Sequence, residues 1–406
     1  MVPRHARSKR GEPMDDHARH NTRAKQLVLI GTYPPTECGI ATYTANLRSG
    51  LDEAGFDCRV VRLVTPGEVS ETRAPLEPEV VVDVWRVDDP AGPERCARIA
   101  SHFDVVLLQH EFGIFPGPDG VDVVRFAEAC RAPLFTVLHT ALRSPTPAQR
   151  EIIERIARRS VLIIVHSVVA RSRLLAAHDL DASRVVVVPH GATPNLTGRP
   201  AFTSPDPIML TWGLLGPGKG IERGINAVAQ LRENGLDVRY VIAGETHPNV
   251  RKQQGEAYRE SLGALAVELE VADLVEFRGT YTTWDELRAV VRSADVVLLP
   301  YDTRDQVTSG VLVEALAAGK PVIATAFPHA VELSRTGAVE VVEHDDEGAI
   351  AEILAHILDD DRKRERMQTA ARAESARYDW PIIGSRIRGL VEASLREIER
   401  RRPLAG

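Results

Sequence analysis

The strongest constraint on the fold is a repeated alternation between short runs of apolar, mostly β-branched residues and longer stretches with helical periodicity. Each run is apolar along its whole length, which is typical of strands covered on both faces, as in a parallel sheet. The first series consists of residues 27–30, 59–63, 80–84, 104–109, 134–138, 161–165 and 184–189. The pattern predicts an α/β sheet whose ligands bind beyond the C-terminal ends of the strands.

A second series of the same kind follows a proline-rich interruption. Residues 193–207 hold four prolines with Gly, Ser and Thr and show no periodicity, so we interpret this part of the chain as a linker. The later runs are 208–212, 238–243, 275–279, 295–300, 321–326 and 338–342. A chain of 406 residues also exceeds what one core usually serves. We therefore predict two Rossmann-like domains that face each other across a cleft.

The boundaries of these domains follow from the alternation. We assign residues 26–195 to the N-terminal domain, 196–207 to the linker and 208–378 to the C-terminal domain. The remaining residues, 379–406, read as a terminal helix that crosses back to the N-terminal domain, because Trp-Pro at its start breaks the preceding helical pattern.

Composition excludes several classes of protein. The formal net charge of −7 argues against a general nucleic-acid binder. The four cysteines lack metal-ligand spacing and fit a reducing, cytoplasmic setting. Residues 1–25 are polar, rich in Arg and His and without the apolar run of a signal peptide. We interpret them as a disordered tail, with weak contact to an anionic membrane at its inner face as the alternative.

A polar turn formed by Thr308, Ser309 and Gly310 precedes an Ala/Leu/Val-rich segment that predicts a helix. The free N–H groups and partial positive charge at such a helix start favour an anion. Glu314 lies four residues after Gly310 and therefore on the same helix face. A phosphate at the helix start and a carboxylate within reach of ribose hydroxyls would suit a nucleotide. An ordinary βα loop, with Glu314 merely favourable near a helix N-terminus, is the alternative.

This stretch resembles the C-terminal signature of the retaining family 4 glycosyltransferases, which have the two-domain GT-B fold. In that family, two glutamates separated by seven residues flank the helix that holds the sugar nucleotide. Glu314 matches the second, ribose-binding glutamate, and Gln306 stands in place of the first. An amide donates as well as accepts and carries no charge, so the departure concerns how the donor sugar's hydroxyls are held.

Glycine loops at strand ends extend the resemblance. Gly39 matches a family glycine that lets the backbone approach the donor phosphate, although a long βα turn would look the same. The loop from Gly213 to Lys219 matches a family loop whose two cations contact the donor's phosphates, but Leu214 replaces the Arg. Lys219 as a point charge still suits a diphosphate, with a solvated surface position as the alternative. Gly244 lies where the family places the nucleotide.

Two loops of the N-terminal domain carry the candidate acceptor and catalytic residues. His110, Glu111 and Phe112 open an aromatic lip suited to sugars, because ring faces pack on sugar C–H surfaces, with a structural role as the alternative. His139 ends the next strand, where the family has a histidine that contacts the donor sugar near the reacting centre; a satisfied core histidine is the alternative. We interpret His190 as structural or cleft-lining, without a chemical role.

The resemblance implies a retaining hexosyltransferase that uses a nucleotide sugar such as GDP-mannose or UDP-glucose. The acceptor would be a hydroxyl of a glycan, a lipid-linked sugar or a small molecule, and the family needs neither metal nor cofactor. His139 and Lys219 are the candidate catalytic residues; Lys219 and the N–H groups of 308–310 would stabilise the leaving diphosphate. A sugar-nucleotide 2-epimerase of the same architecture and a non-catalytic sugar-binding module are the alternatives.

Overall fold

Seven parallel strands form the first sheet of the computed structural model, which describes residues 24–64, 78–279, 283–346 and 348–401. In chain order the elements of this half are β1 (Gln26–Gly31), α1 (Gly39–Glu53), β2 (Asp57–Val64), β3 (Val81–Arg86), α2 (Gly92–Ala100), β4 (Val105–His110), α3 (Asp122–Ala129), β5 (Leu134–Leu138), α4 (Pro147–Arg159), β6 (Ser160–Val165), α5 (Val168–Ala177) and β7 (Val185–Val187). The strand order is β3-β2-β1-β4-β5-β6-β7. Each run of the first series is a strand, as predicted.

The second sheet has six parallel strands in the order β10-β9-β8-β11-β12-β13. Its elements are β8 (Ile208–Trp212), α6 (Ile221–Glu233), β9 (Arg239–Ala243), α7 (Pro248–Gln254), α8 (Ala257–Glu268), β10 (Val275–Arg278), α9 (Trp284–Ser293), β11 (Val296–Leu299), α10 (Gly310–Ala317), β12 (Val322–Thr325), α11 (Pro328–Ser334), β13 (Val339–Val342), α12 (Ala349–Asp359), α13 (Asp361–Tyr378) and α14 (Trp380–Arg401). Two parallel-sheet α/β domains are thus confirmed.

Both sheets are covered on their two faces, which explains why their strands are apolar without alternation. Side chains of β1 contribute in turn to two separate core clusters, with Leu27 and Leu29 in one and Val28 and Ile30 in the other. The strand order reverses direction between β1 and β4, and again between β8 and β11. Ligands of such sheets bind at these switch points, beyond the strand C-termini.

The last helix, α14, packs against α1 of the N-terminal domain at a pair of glycines. A Cβ on Gly50 would lie 2.2 Å from the carbonyl oxygen of Trp380, and one on Gly384 would lie 2.1 Å from the carbonyl oxygen of Gly50. Any larger side chain at either position would push the two helices apart. The glycine pair therefore permits the close contact that ties the end of the chain to the first domain.

The segment interpreted as a disordered tail lies outside the described residues for positions 1–23. Across the described ranges, the structure contains no helix that is both long enough and apolar enough to cross a bilayer.

Candidate active site

A cavity of about 480 Å³ lies between the two domains. One wall is the loop after β5, residues 139–144, and the other is the loop between β11 and α10, which contributes residues 303 and 305–308. His139, Gln306 and Thr308 all line this cavity, although the first belongs to a different domain from the other two. The structure thus brings together three residues that the sequence assigned to donor binding or catalysis.

The helix that follows this wall, α10, begins with two unused hydrogen-bond donors. Its N-cap is Ser309, whose hydroxyl accepts from the N–H of Leu312 over 3.2 Å. The N–H of Ser309 itself donates to Nδ1 of His329 over 2.9 Å. The N–H groups of Gly310 and Val311 meet no acceptor in the part of the chain that the structure describes. An anion at this end would therefore bind Gly310 and Val311, while the N–H of Ser309, predicted to be free, is already engaged.

Lys219 is held close to this helix start by an aromatic ring. Its Nζ lies 4.5 Å from the centroid of the Tyr301 ring, within cation–π range. The hydroxyl of Tyr301 interacts in turn with the Ser309 side chain. Burial lowers the pKa of Lys219 from its ordinary value, because the charged ammonium is partly desolvated. No carboxylate pairs with Lys219 among the described residues, so its charge is available to an anionic ligand.

The glycine loops of the C-terminal domain meet backbone to backbone. A Cβ on Gly244 would lie 1.9 Å from the carbonyl oxygen of Gly213, and both residues have positive φ. Glycine is therefore required here by the packing of the two loops on each other.

Gly39, the first residue of α1 in the N-terminal domain, is different. A Cβ there would meet no atom within 4 Å, so the packing of the protein does not require a glycine at this position. The open space at Gly39 is compatible with close approach of a ligand.

Glu314 faces a second, smaller cavity of about 40 Å³ that also contains Thr193, Trp284 and Arg288. Its carboxylate accepts from the indole N–H of Trp212 over 3.3 Å. Burial raises the pKa of Glu314 to about 7, although the Trp212 hydrogen bond and the charge of Arg288 act in the opposite direction. The predicted donor residues are thus divided between two cavities.

Gln306 is oriented by its own loop. Its amide nitrogen donates to the carbonyl oxygen of Thr308 over 3.0 Å, and its backbone carbonyl accepts from the N–H of His329 over 3.3 Å. The side-chain oxygen has no donor within the described ranges. Gln306 therefore presents an acceptor to whatever occupies the cavity.

On the opposite wall, His139 is a neutral imidazole in an aromatic environment. Its Nε2 lies 3.0 Å from the amide oxygen of Gln109, so this nitrogen carries the hydrogen and Nδ1 holds the lone pair. The ring makes a T-shaped contact with Tyr43 at 4.7 Å. Burial, followed by the neighbouring His166, lowers the pKa of His139 well below its ordinary value.

The predicted acceptor residues are placed unequally. His110 is fully buried, meets Phe112 edge-on and stacks on Phe115, and has two ring nitrogens without a partner in the described residues. Contact with an acceptor would require this side chain to leave the core. Glu111 accepts from the Thr140 hydroxyl and from the N–H of Phe112, and burial raises its pKa. Because Thr140 lines the interdomain cavity, Glu111 can influence that cavity through Thr140.

Two family models match the chain, one after the other. The model described as Glycosyltransferase Family 4 covers residues 38–196, and the model described as Glycosyl transferases group 1 covers residues 195–374. The chain belongs to the family 4 glycosyltransferases. The prediction drawn from the Gln306–Glu314 signature is therefore confirmed at the level of the family.

Three curated relatives of this family 4 member have names that contain inositol. It is 30% identical over 288 residues to the D-inositol 3-phosphate glycosyltransferase of Corynebacterium efficiens, covering 64% of this chain and 65% of the relative. It is 31% identical over 181 residues to the phosphatidyl-myo-inositol mannosyltransferase of Mycobacterium tuberculosis, covering 43% and 44%. It is 29% identical over 201 residues to a GDP-mannose-dependent monoacylated alpha-(1-6)-phosphatidylinositol monomannoside mannosyltransferase of Corynebacterium glutamicum, covering 48% and 49%. The chain spans about half to two-thirds of these relatives.

Solved structures establish the GT-B fold. Anabaena Alr3699/HepE in complex with UDP-glucose superposes with a TM-score of 0.71 at 18% identity, covering 90% of this chain and 99% of that one. The sucrose-phosphate synthase of Thermosynechococcus elongatus gives the same TM-score and identity, covering 92% and 100%. At this level of identity, the likeness concerns the arrangement of the two domains.

Several site residues were missed by reasoning from the sequence. Trp212 ends β8 as part of an apolar run, and nothing local indicated that its N–H reaches Glu314. Arg143 is exposed in the wall of the interdomain cavity and has no ion-pair partner in the described residues. His190, interpreted as structural or cleft-lining, lies directly against Gly310 at the start of α10.

The described residues contain no group of three or more His, Cys, Asp or Glu side chains placed to hold a metal ion. That the reaction needs no metal stays a prediction, tested below with a chelator.

Proposed function

We propose that the chain is a retaining, metal-independent hexosyltransferase that takes a sugar from a nucleoside-diphosphate sugar to a hydroxyl acceptor. One observation carries the proposal: His139 and the Gln306–Thr308 loop line a single interdomain cavity next to the helix start of α10. Family membership supports the reaction class, and the cavity is large enough for a hexose together with part of an acceptor.

The donor would lie along the N-terminal turn of α10. Its diphosphate would accept hydrogen bonds from the N–H groups of Gly310 and Val311 and would take its counter-charge from Lys219. Its ribose would reach the Glu314 carboxylate one turn along the helix. Its sugar would then extend into the cavity, where Gln306 and His139 supply polar contacts.

The chemistry would be a front-face displacement. The acceptor oxygen forms a bond to the anomeric carbon on the face from which the phosphate oxygen departs, and the acceptor proton passes to that phosphate oxygen. Charge develops on the leaving diphosphate, where Lys219 and the α10 helix start are already in place to stabilise it. No side chain is assigned as a nucleophile, in keeping with a displacement that forms no covalent glycosyl-enzyme.

The names of relatives and structural neighbours indicate which molecules to test first. One relative is GDP-mannose-dependent, and a structural neighbour is bound to UDP-glucose. Inositol phosphate and phosphatidylinositol occur in relatives' names. Arg143, which has no ion-pair partner in the described part of the chain, offers its charge in the cavity wall to a phosphate-bearing acceptor. We also propose a cytoplasmic setting, supported by four free cysteines.

A thermal-shift panel of nucleotides and sugar nucleotides tests the donor, because a ligand that binds only the native state raises the melting temperature. A radiolabelled transfer assay with D-inositol 3-phosphate, inositol and mannose as acceptors then tests the reaction. We expect stabilisation by one sugar nucleotide and its turnover with retention of anomeric configuration. Conversion of the sugar nucleotide to its 2-epimer without acceptor would instead identify an epimerase. Binding of free sugars, with no donor hydrolysis above background, would identify a sugar-binding module.

A further inference from the structure

The imidazole of His190 lies on the first residue of α10. A Cβ built on Gly310 would be 3.0 Å from Cε1 and 3.2 Å from Nε2 of His190, so the ring occupies the space beside the Gly310 backbone. His190 follows β7 at the end of the N-terminal domain, whereas Gly310 belongs to the C-terminal domain. The contact therefore places a histidine of one domain at the helix start that the other domain offers to a phosphate.

Hydrogen bonding fixes which nitrogen of His190 carries the hydrogen. Nδ1 lies 2.7 Å from the carbonyl oxygen of Gly191, which can only accept, so Nδ1 is the donor. Nε2, the nitrogen nearer to Gly310, then holds a lone pair in the neutral ring and has no partner among the described residues. A lone pair beside a bound phosphate oxygen would repel it, whereas a protonated Nε2–H would donate to it.

The groups that face His190 carry no fixed charge. They are Tyr43 of α1 at a ring distance of 4.9 Å, His166 after β6 at 5.4 Å and Trp380 of α14 at 6.1 Å, together with the more distant His139 and His329. Burial raises the pKa of Tyr43 far above its ordinary value and lowers the pKa of both His166 and His329 to about 3. An anion bound at Gly310 would therefore be the dominant charge acting on His190.

We propose that His190 is a proton-linked ligand of the donor's diphosphate: it is neutral in the empty site and takes up a proton at Nε2 when the donor binds. The inference rests on the proposed function, because it needs a phosphate at the α10 helix start. Burial lowers the pKa of the ligand-free His190 to about 4, and a neighbouring phosphate raises it again. Between these two values, binding consumes a proton, so donor affinity falls as the pH rises.

The proton count is measurable on the wild-type protein. UDP-glucose and GDP-mannose are suitable probes, because their diphosphates are esterified at both ends and do not titrate near neutral pH. Calorimetric titration of the wild type and of His190→Asn at pH 6, in two buffers of different ionisation enthalpy, should show that the wild type takes up roughly 0.5–1 proton more per sugar nucleotide bound than the variant, because any proton released at Glu314 is common to both. Between pH 8 and pH 6 we expect the wild type to gain about tenfold more affinity than His190→Asn, which corresponds to about one extra proton taken up over one pH unit of that range.

Variants identify the group that takes up the proton. In His190→Asn, and in His190→Gln as a second variant should the first fold poorly, the proton uptake assigned to His190 should disappear, so that the proton exchange of Glu314 is left. The matched control His356→Asn, on the exposed face of α12, should behave as wild type. Equal proton uptake and equal pH dependence in the wild type and in the His190 variants would overturn the inference alone. Failure of the wild type to bind any sugar nucleotide overturns the proposed function as well.

Discussion

The indole N–H of Trp212 donates to the carboxylate of Glu314 across 3.3 Å, joining the end of β8 to α10 one turn beyond its start. The bond comes from a neutral donor and only partly offsets burial, which raises the pKa of Glu314 to about 7. In the empty site, this carboxylate is thus desolvated. A ribose that donates hydrogen bonds from two hydroxyls would give the Glu314 carboxylate the partners that it lacks in the empty site.

Glu314→Gln should therefore have opposite effects on the empty and the occupied protein. A raised pKa means that the folded state binds more protons than the unfolded state, so stability falls as the pH rises from about 4.5 towards about 7. Removing the charge should stabilise the ligand-free protein at pH 8 by roughly 1–3 kcal/mol and have little effect at pH 5.

The same substitution should weaken the binding of every nucleotide alike, free diphosphates included, because charge-assisted hydrogen bonds to the ribose become neutral ones. Urea unfolding at both pH values and calorimetry with UDP and GDP measure the two effects. Unchanged nucleotide affinity would remove Glu314 from the donor site.

Lys219→Ala should weaken donor binding by roughly 1.5–3 kcal/mol, the range for a hydrogen bond to a charged group. Nζ lies over the Tyr301 ring, beside the start of α10, and has no carboxylate partner in the described residues. Its charge is therefore available to the diphosphate. Calorimetry with the sugar nucleotide measures the loss, and Lys252→Ala on α7 is a control that removes the same charge elsewhere in the domain. Equal affinities for Lys219→Ala and the wild type would sink the assignment.

Gln306→Ala should weaken the sugar nucleotide while sparing the free nucleoside diphosphate. The reason is its position in the wall of the interdomain cavity, where its side-chain oxygen meets no protein donor in the described ranges. Gln306→Glu restores the family's usual residue and should raise turnover or change the preferred donor. Affinities of both variants for the diphosphate and for its sugar conjugate separate these roles. Equal losses for the two ligands would place the sugar elsewhere.

Turnover should survive excess EDTA. Positive charge at the diphosphate is expected from Lys219 and the α10 helix start, which together can replace a divalent cation. Initial rates with and without chelator, followed by addition of Mg²⁺ or Mn²⁺, provide the measurement. Activity abolished by EDTA and restored by either metal would contradict a metal-independent mechanism.

Much of the fold could be predicted because its signals are local. An uninterrupted apolar run reports burial on both faces, and a small polar turn before such a helix reports a free helix start. Both signals depend only on neighbouring residues, so the strand series and the start of α10 appear in the structure where the sequence placed them.

The details of the site could not be predicted, because they depend on pairs far apart in the chain. The N–H of Ser309 donates to His329 of α11, and the carboxylate of Glu314 accepts from Trp212 of β8. Gly310 lies against His190 of the other domain. No periodicity encodes such pairs. His110 is the opposite case. As a polar residue at a strand end it was predicted to contact the acceptor, but the structure places it in the core beside two phenylalanines.

The domains are also held together beside the donor loop, by a carboxylate at a helix start. Glu332 of α11 accepts from the N–H groups of Val168 and Val169 over 3.0 and 2.9 Å, at the first turn of α5 in the other domain. The N-cap of the same helix, Ser167, donates to the carbonyl oxygen of Val307 over 2.6 Å. Because Val307 lines the interdomain cavity, the contacts between the two domains also hold the donor loop in place.

Glu332→Ala should therefore lower both the stability and the catalytic efficiency. We expect a loss of roughly 1–3 kcal/mol in the free energy of unfolding, because two charge-assisted hydrogen bonds and a favourable charge at a helix N-terminus disappear. Transfer should fall further than affinity for the free diphosphate, since the latter uses α10 and the former needs both walls of the cavity. Urea unfolding, kcat/KM and diphosphate calorimetry give the three values. Glu352→Ala is a matched control, because Glu352 lies in the first turn of α12 but makes no contact of this kind between the domains in the described structure. If Glu332→Ala changed diphosphate affinity and transfer equally, the Glu332 contacts would act through stability alone and not through the donor loop.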